Sequence, residues 1–234
     1  MAGAVVIGAG PGIGAAVARR FAREGLPVAL VARSERTLTP VAEAVKQAVA
    51  AAGTGVPPGY GVLALPADVT DEAALRAALD AATDRFGVPE AVVYNAARIR
   101  GDALGELAQR ALLDAWAVNV GGAITAATHL APAMARRGAG SFLITGGMPE
   151  PKAPYVSLSL GKAGVRTLAQ LLDLEYGPDG VHVATVTVDG VVAPGTGFDP
   201  DVIAEHYWRL HTQPRSRWEH DVLHTGAEAA APHP

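Results

Sequence analysis

The residues best suited to chemistry stand near the start of the chain. Gly8-Ala9-Gly10-Pro11-Gly12-Ile13-Gly14 follows the apolar run Ala4-Val5-Val6-Ile7 and opens a helix-forming stretch from Ala15 to Glu24. Small residues in a strand-to-helix turn let the backbone approach a diphosphate, and the free N–H groups and positive dipole end of the helix supply the counter-charge. Two glycine spacings overlap, Gly8-x-Gly10-x-Gly12 and Gly8-x-x-x-Gly12-x-Gly14. The turn therefore reads as a dinucleotide site, with a plain tight turn as the alternative. A second apolar run ends at Arg33. An acid at that strand end would accept from a free ribose 2′-hydroxyl, whereas an arginine without an acid suits a 2′-phosphate. Arg33 thus favours NADP(H), with NAD(H) as the alternative and a solvated loop arginine as the plainer reading. Asp68 reads equally as an acceptor for the adenine amino group and as a turn residue capping the next helix. Asn95-Ala96-Ala97 is a small-residue turn at the carboxyl end of a strand, where open α/β sheets bind ligands. Asn119, between Val118 and Val120, is either a buried amide with a structural partner or part of a site. His129 has no acidic or histidine neighbour at metal-ligand spacing, reads as structural, and leaves no metal site expected.

The elements that must position these residues alternate. Strand-like runs at 4–7, 26–32, 62–65, 91–94, 141–144 and 181–188 are interleaved with helical patterns at 15–24, 37–52, 71–86, 106–137 and 155–176. Gly53 to Gly61 is rich in glycine and proline and predicts a loop. Alternation without a repeat or a linker predicts an α/β fold, a doubly wound parallel sheet with helices on both faces, in one three-layer domain.

Composition narrows the function. The 234 residues carry a net charge of −4 and no cysteine. Disulfides, thiolate catalysis and cysteine-ligated metals are therefore excluded, and no basic footprint for nucleic acid or an acidic membrane is expected. No apolar run reaches the roughly 18 residues of a membrane span. Met1 leads directly to the first strand, so a cytoplasmic protein without a secretory signal is expected.

With these pieces placed, residues 4–197 resemble the short-chain dehydrogenase/reductase family. The resemblance rests on Gly8-x-x-x-Gly12-Ile13-Gly14, Asp68-Val69, Asn95-Ala96-Ala97, Val118-Asn119-Val120 and the helix holding Lys162-Ala163, in that order. It implies a seven-stranded Rossmann fold, hydride transfer between a nicotinamide cofactor and a small carbonyl or alcohol substrate, and a homodimer or homotetramer. It assigns Gly8, Gly10, Gly12, Ile13, Gly14, Arg33, Asp68, Val69, Asn95 and Ala96 to the cofactor. Lys162 is implied at the nicotinamide ribose, and Gly190 and Val192 near the carboxamide, where Asp189-Gly190 replaces the family's Pro-Gly. It also implies a binding and catalytic core at 1–197 and a substrate lid and C-terminal extension of the same domain at 198–224. Within that extension Trp218 to Leu223 reads as a seventh strand or an edge segment, and residues 225–234 read as a mobile tail.

The catalytic pattern departs from that family. The family's tyrosine, four residues before the lysine, falls on Leu158, which carries no proton. Its serine, 13 residues earlier, falls on Thr145, or on Gly146 if the register slips by one. Lys162 and Asn119 keep their places, where the family uses them for the cofactor and a water chain. Tyr155 lies two helical turns before Lys162, about 10.5 Å along the axis, and is one candidate for the missing acid. His206 and Tyr207 in the lid are others, with a purely structural lid or subunit contact as the alternative. The expected protein is an NADP(H)-dependent oxidoreductase with an altered proton donor. The alternatives are a nucleotide-binding protein without redox activity, and a non-redox lyase or isomerase using the same cleft.

Overall fold

The structure is a computed structural model and describes residues 2–53 and 61–227. The loop expected at 53–61 is therefore described only at its ends, and the expected tail lies outside the described residues from 228 onward. The elements run β1 (Ala4–Ile7), α1 (Ile13–Arg23), β2 (Val28–Ala32), α2 (Glu35–Ala52), β3 (Val62–Pro66), α3 (Glu72–Phe86), β4 (Ala91–Tyr94), α4 (Gln109–Trp116), a π turn (Ala117–Gly121), α5 (Gly122–Arg137), β5 (Gly140–Thr145), α6 (Val156–Tyr176), β6 (Val181–Val188), α7 (Pro200–Thr212) and β7 (Asp221–His224).

The sheet has seven strands in the order β3-β2-β1-β4-β5-β6-β7. Every neighbouring pair is parallel. Successive strand residues point to opposite faces, so both faces of a covered parallel sheet must be apolar. Val6, Leu30, Leu143 and Val186 bury with Phe21 of α1, Leu38 of α2 and Leu210 of α7. Val5, Val31, Phe142 and Val183 bury on the other side with Leu79 of α3, Leu130 of α5 and Val165 of α6. The chain leaves β1 toward β2 on one side and reaches β4 on the other. That reversal opens a crevice at the carboxyl ends of the central strands.

Several helix boundaries follow from local chemistry. Ser34 caps α2 through the Thr37 N–H, and Asp71 caps α3 through the Ala74 N–H at 3.0 Å. Asp68 is therefore not the cap of α3. Its carboxylate accepts from the Thr70 N–H at 2.9 Å and the Thr70 hydroxyl at 2.8 Å. The long helix expected over 106–137 starts later, at Gln109, and contains the π turn around Asn119. Gly161 of α6 comes so close there that a Cβ on it would lie 2.7 Å from the Asn119 side chain. Inserted π turns of this kind displace a side chain from the regular helical face.

The segment expected as a lid at 198–224 is part of the body of the domain. Ile203, Ala204, Tyr207 and Leu210 form a buried stripe of α7 against the α1 side of the sheet. Asp221–His224 supplies the seventh strand. None of these residues lines the cleft, whose walls end at Val192. The apolar spacing of α7 at i, i+1, i+4 and i+7 makes a core face, which dominates over the concentration of aromatic and histidine side chains.

Candidate active site

A cleft of about 1220 Å³ lies at the carboxyl ends of the central strands. Its floor begins at the glycine turn, where the glycines divide into two kinds. Gly8 has φ +87°, and a Cβ on it would come within 2.3 Å of the Ala96 nitrogen; one on Gly14 would lie 2.4 Å from the Gly8 carbonyl oxygen. These two glycines allow β1, β4 and α1 to meet. Gly10 and Gly12 line the cleft, and a Cβ on either would have nothing within 4 Å. No side chain caps α1 at Gly12. The helix thus presents uncapped backbone donors beside open space, the arrangement that suits a diphosphate.

Ile13, Ala32, Arg33, Asp68 and Val69 carry the cleft outward from that turn. Asp68 is held below the usual carboxylate range, first by the Thr70 N–H and also by Arg33. Both readings of Asp68 required an acceptor; its turn role is met by Thr70, and it still faces the cleft.

The central part joins four elements through side chains. Asn95 Nδ2 donates to the Gly8 carbonyl at 2.9 Å, while Asn95 Oδ1 accepts from Thr145 Oγ1 at 2.8 Å. Thr145 Oγ1 is also 2.7 Å from the Tyr207 hydroxyl. An amide oxygen can only accept, so Thr145 donates to Asn95 and Tyr207 donates to Thr145. The Thr145 hydroxyl, expected to orient a substrate, is thereby engaged on both sides, because strand alternation turns it toward α7. Burial raises the Tyr207 phenol well above its ordinary pKa, and its proton is committed to Thr145. His206 is turned elsewhere, with Nε2 3.0 Å from His224 Nδ1. Neither α7 residue reaches over the cleft as the lid reading required.

Lys162 is buried and donates from Nζ to the Thr145 carbonyl oxygen at 2.6 Å. Burial, and secondarily Arg166, lowers its pKa to about 8. Asn119 Oδ1 accepts from the Arg98 N–H at 2.7 Å. Its buried Nδ2 has no partner among the described residues. Leu158 and Tyr155 both line the same cleft, as do Gly146, Gly190 and Val192. Tyr155 opens α6, and its backbone bridges to Asp102. No hydrogen bond joins it to Lys162 among the described residues. His129, as expected, is structural: Nε2 lies 2.7 Å from Asp80 and Nδ1 3.1 Å from Arg76. No cluster suited to a metal occurs among the described residues.

Asp102 is a site neighbour without a sequence signal. Its carboxylate accepts from the Ser157 N–H at 2.9 Å and from the Ser157 hydroxyl. It thus caps α6 from 55 residues away, a role that no local capping pattern announces.

Against known proteins, the short chain dehydrogenase family model matches residues 2–198, and the chain belongs to that family of oxidoreductases. It is 33% identical over 192 residues to a probable galactose dehydrogenase of Rhizobium meliloti, covering 79% of this chain and 69% of the relative. Among solved structures, an alcohol dehydrogenase from the archaeon Thermococcus sibiricus, complexed with 5-hydroxy-NADP, superposes with TM-score 0.84 at 25% identity, over the full length of both chains. A metagenomic short-chain oxidoreductase in complex with NADP gives 0.80 at 27% identity, covering 95% of this chain and 96% of that one.

Proposed function

We propose that this chain is an NADP(H)-dependent oxidoreductase that exchanges hydride with a small carbonyl or alcohol substrate and uses an altered proton donor. The observation that carries the reading is the uncapped amino end of α1, opening at Gly10 and Gly12 into a cleft that also holds Arg33 and Lys162. Two relatives in fold were solved with NADP or a derivative of it. The cofactor residues are Gly8, Gly10, Gly12, Ile13, Gly14, Arg33, Asp68, Val69, Asn95, Ala96, Lys162, Gly190 and Val192. The bound nicotinamide supplies or accepts the hydride; everything else is the work of the chain.

In this proposal the N–H groups that begin α1, at Gly12 and Ile13, bind the diphosphate, since those of Gly8, Ala9 and Gly10 already donate within the turn and to β2, and Arg33 binds the 2′-phosphate. The orphaned Asn119 Nδ2 marks a place where a ligand or a water completes the hydrogen bonding, since a buried amide donor left unpaired costs about 1–3 kcal/mol. Leu158 stands where the family's tyrosine does and carries no proton. Lys162 Nζ holds a proton that is labile near neutrality, and Tyr155 offers a phenol at the mouth. Thr145 contributes its carbonyl to Lys162.

The test is a fluorescence titration with NADPH and NADH, followed by nicotinamide absorbance against a panel of ketones and alcohols. NADPH binding tighter than NADH, with substrate-dependent absorbance change, is expected. Failure to bind either nucleotide overturns the reading. The apolar Leu158 beside Lys162 favours the second reading, a nucleotide-binding protein without redox activity; NADPH binding with no absorbance change on any panel member would select it.

A further inference from the structure

Two guanidinium groups line the cleft without a hydrogen bond or an ion pair among the described residues: Arg33, after β2, and Arg98, three residues beyond Asn95 after β4. β2 and β4 lie on opposite sides of β1, so the two charges serve different halves of the cleft. Arg33 is taken up by the proposed 2′-phosphate. Arg98 remains. Its backbone is pinned, because its N–H donates to Asn119 Oδ1 at 2.7 Å, while its side chain is exposed.

The other cations of that half are already matched. Arg110 pairs with Asp114 at 3.0 Å, Lys152 lies 3.5 Å from Asp189, and Lys162 donates to the Thr145 carbonyl. The same cleft is lined by apolar side chains: Ile99, next to Arg98 in the chain, is 73% exposed, Val191 is 85% exposed, and Val192 and Leu158 also line it. An unmatched guanidinium in a cleft that also carries exposed apolar side chains fits a ligand with an anionic end and an apolar body. A planar guanidinium fork matches a carboxylate in bidentate fashion.

We infer that the substrate is an oxo- or hydroxycarboxylic acid with an apolar body, whose carboxylate is held by Arg98 while its body lies against Ile99, Val191 and Val192. This rests on the proposed oxidoreductase reading and names its substrate class. Arg98 sets specificity here by binding the carboxylate and does not itself touch the reacting carbon.

The test is calorimetric binding to NADP⁺-saturated protein of 4-methyl-2-oxopentanoate and of its methyl ester, which keeps the body and carbonyl but removes the charge. The acid is expected to bind about 10-fold or more tightly than the ester, as for a hydrogen bond to a charged group. Arg98→Gln is expected to erase that preference and Arg98→Lys to retain part of it. Equal binding of acid and ester, absence of binding by both, or an unchanged preference in Arg98→Gln overturns the inference. The NADPH titration separates the two failures. Protein that takes up NADPH but ignores the carboxylate loses only the substrate class, whereas protein that ignores NADPH loses the reading beneath it.

Discussion

Arg33 and Lys162 are the residues whose charges can be tested one at a time. If Arg33 meets a 2′-phosphate, Arg33→Gln should weaken NADPH binding by about 10-fold or more and leave NADH unaffected, since a charge-assisted contact is worth about 1.5–3 kcal/mol. Comparative fluorescence titration reads this directly; equal losses for both nucleotides would refute the phosphate role. Lys162 makes a separate prediction about the cofactor-free protein. Its folded pKa of about 8 lies below the ordinary 10.5, so between those values the unfolded chain binds the extra proton. Stability should therefore rise as pH increases from about 8 to 10.5, and this contribution is lost again as pH falls through 8. The shift corresponds to about 3 kcal/mol. Chemical denaturation across that range should show the rise in the parent and its removal in Lys162→Met.

Among the elements, the contact of the π turn with α6 depends on a missing side chain. A Cβ at Gly161 would lie 2.7 Å from Asn119 Cβ and Nδ2. Helix propensity favours alanine over glycine by about 1 kcal/mol, yet overpacking typically costs about 1–3 kcal/mol. Gly161→Ala is therefore expected to be destabilising on balance and to displace Asn119, which thermal melting and NADPH titration would report together. A variant more stable than the parent would mean that the turn relaxes freely. The same end of α6 depends on Asp102, whose carboxyl is kept below its usual range, first by the Ser157 hydroxyl. That bond holds the segment carrying Arg98 and Arg100 to the start of the helix that bears Tyr155, Leu158 and Lys162.

For the whole molecule, α7 ties acid sensitivity to the body of the fold. The His211 ring packs 5.4 Å from Phe21 and 5.5 Å from Trp208, with Nδ1 2.8 Å from the Ser141 hydroxyl. Burial first, then His182 and Arg137, lowers its pKa to about 4. The unfolded chain binds this proton from about pH 6.5 downward while the folded chain resists, so stability should fall between 6.5 and 4. His211→Gln should flatten the pH dependence of the denaturation midpoint in that window. On the opposite face, Leu113, Trp116, Leu160, Leu171 and Leu174 are exposed along α4 and α6. They support the proposal of a homodimer or homotetramer, because exposed apolar patches mark interfaces. Sedimentation equilibrium should return at least twice the 23.8 kDa chain mass, and a monomer would remove this proposal.

The sequence by itself determined the alternating sheet and the glycine turn, because hydrophobic period and small-residue spacing are local properties. β1, β4 and β6 lie where their apolar runs placed them, and Gly8 and Gly14 prove indispensable to packing at the turn where the motif set them. Only the tertiary structure decided the direction of side chains whose partners are distant in the chain. It turned the Thr145 hydroxyl toward Tyr207, made Asp102 a cap for α6, and packed one face of α7 against the sheet where a lid was expected. Each outcome depends on which surfaces meet across the sheet, and a string of residue types holds that information only through the whole packed domain.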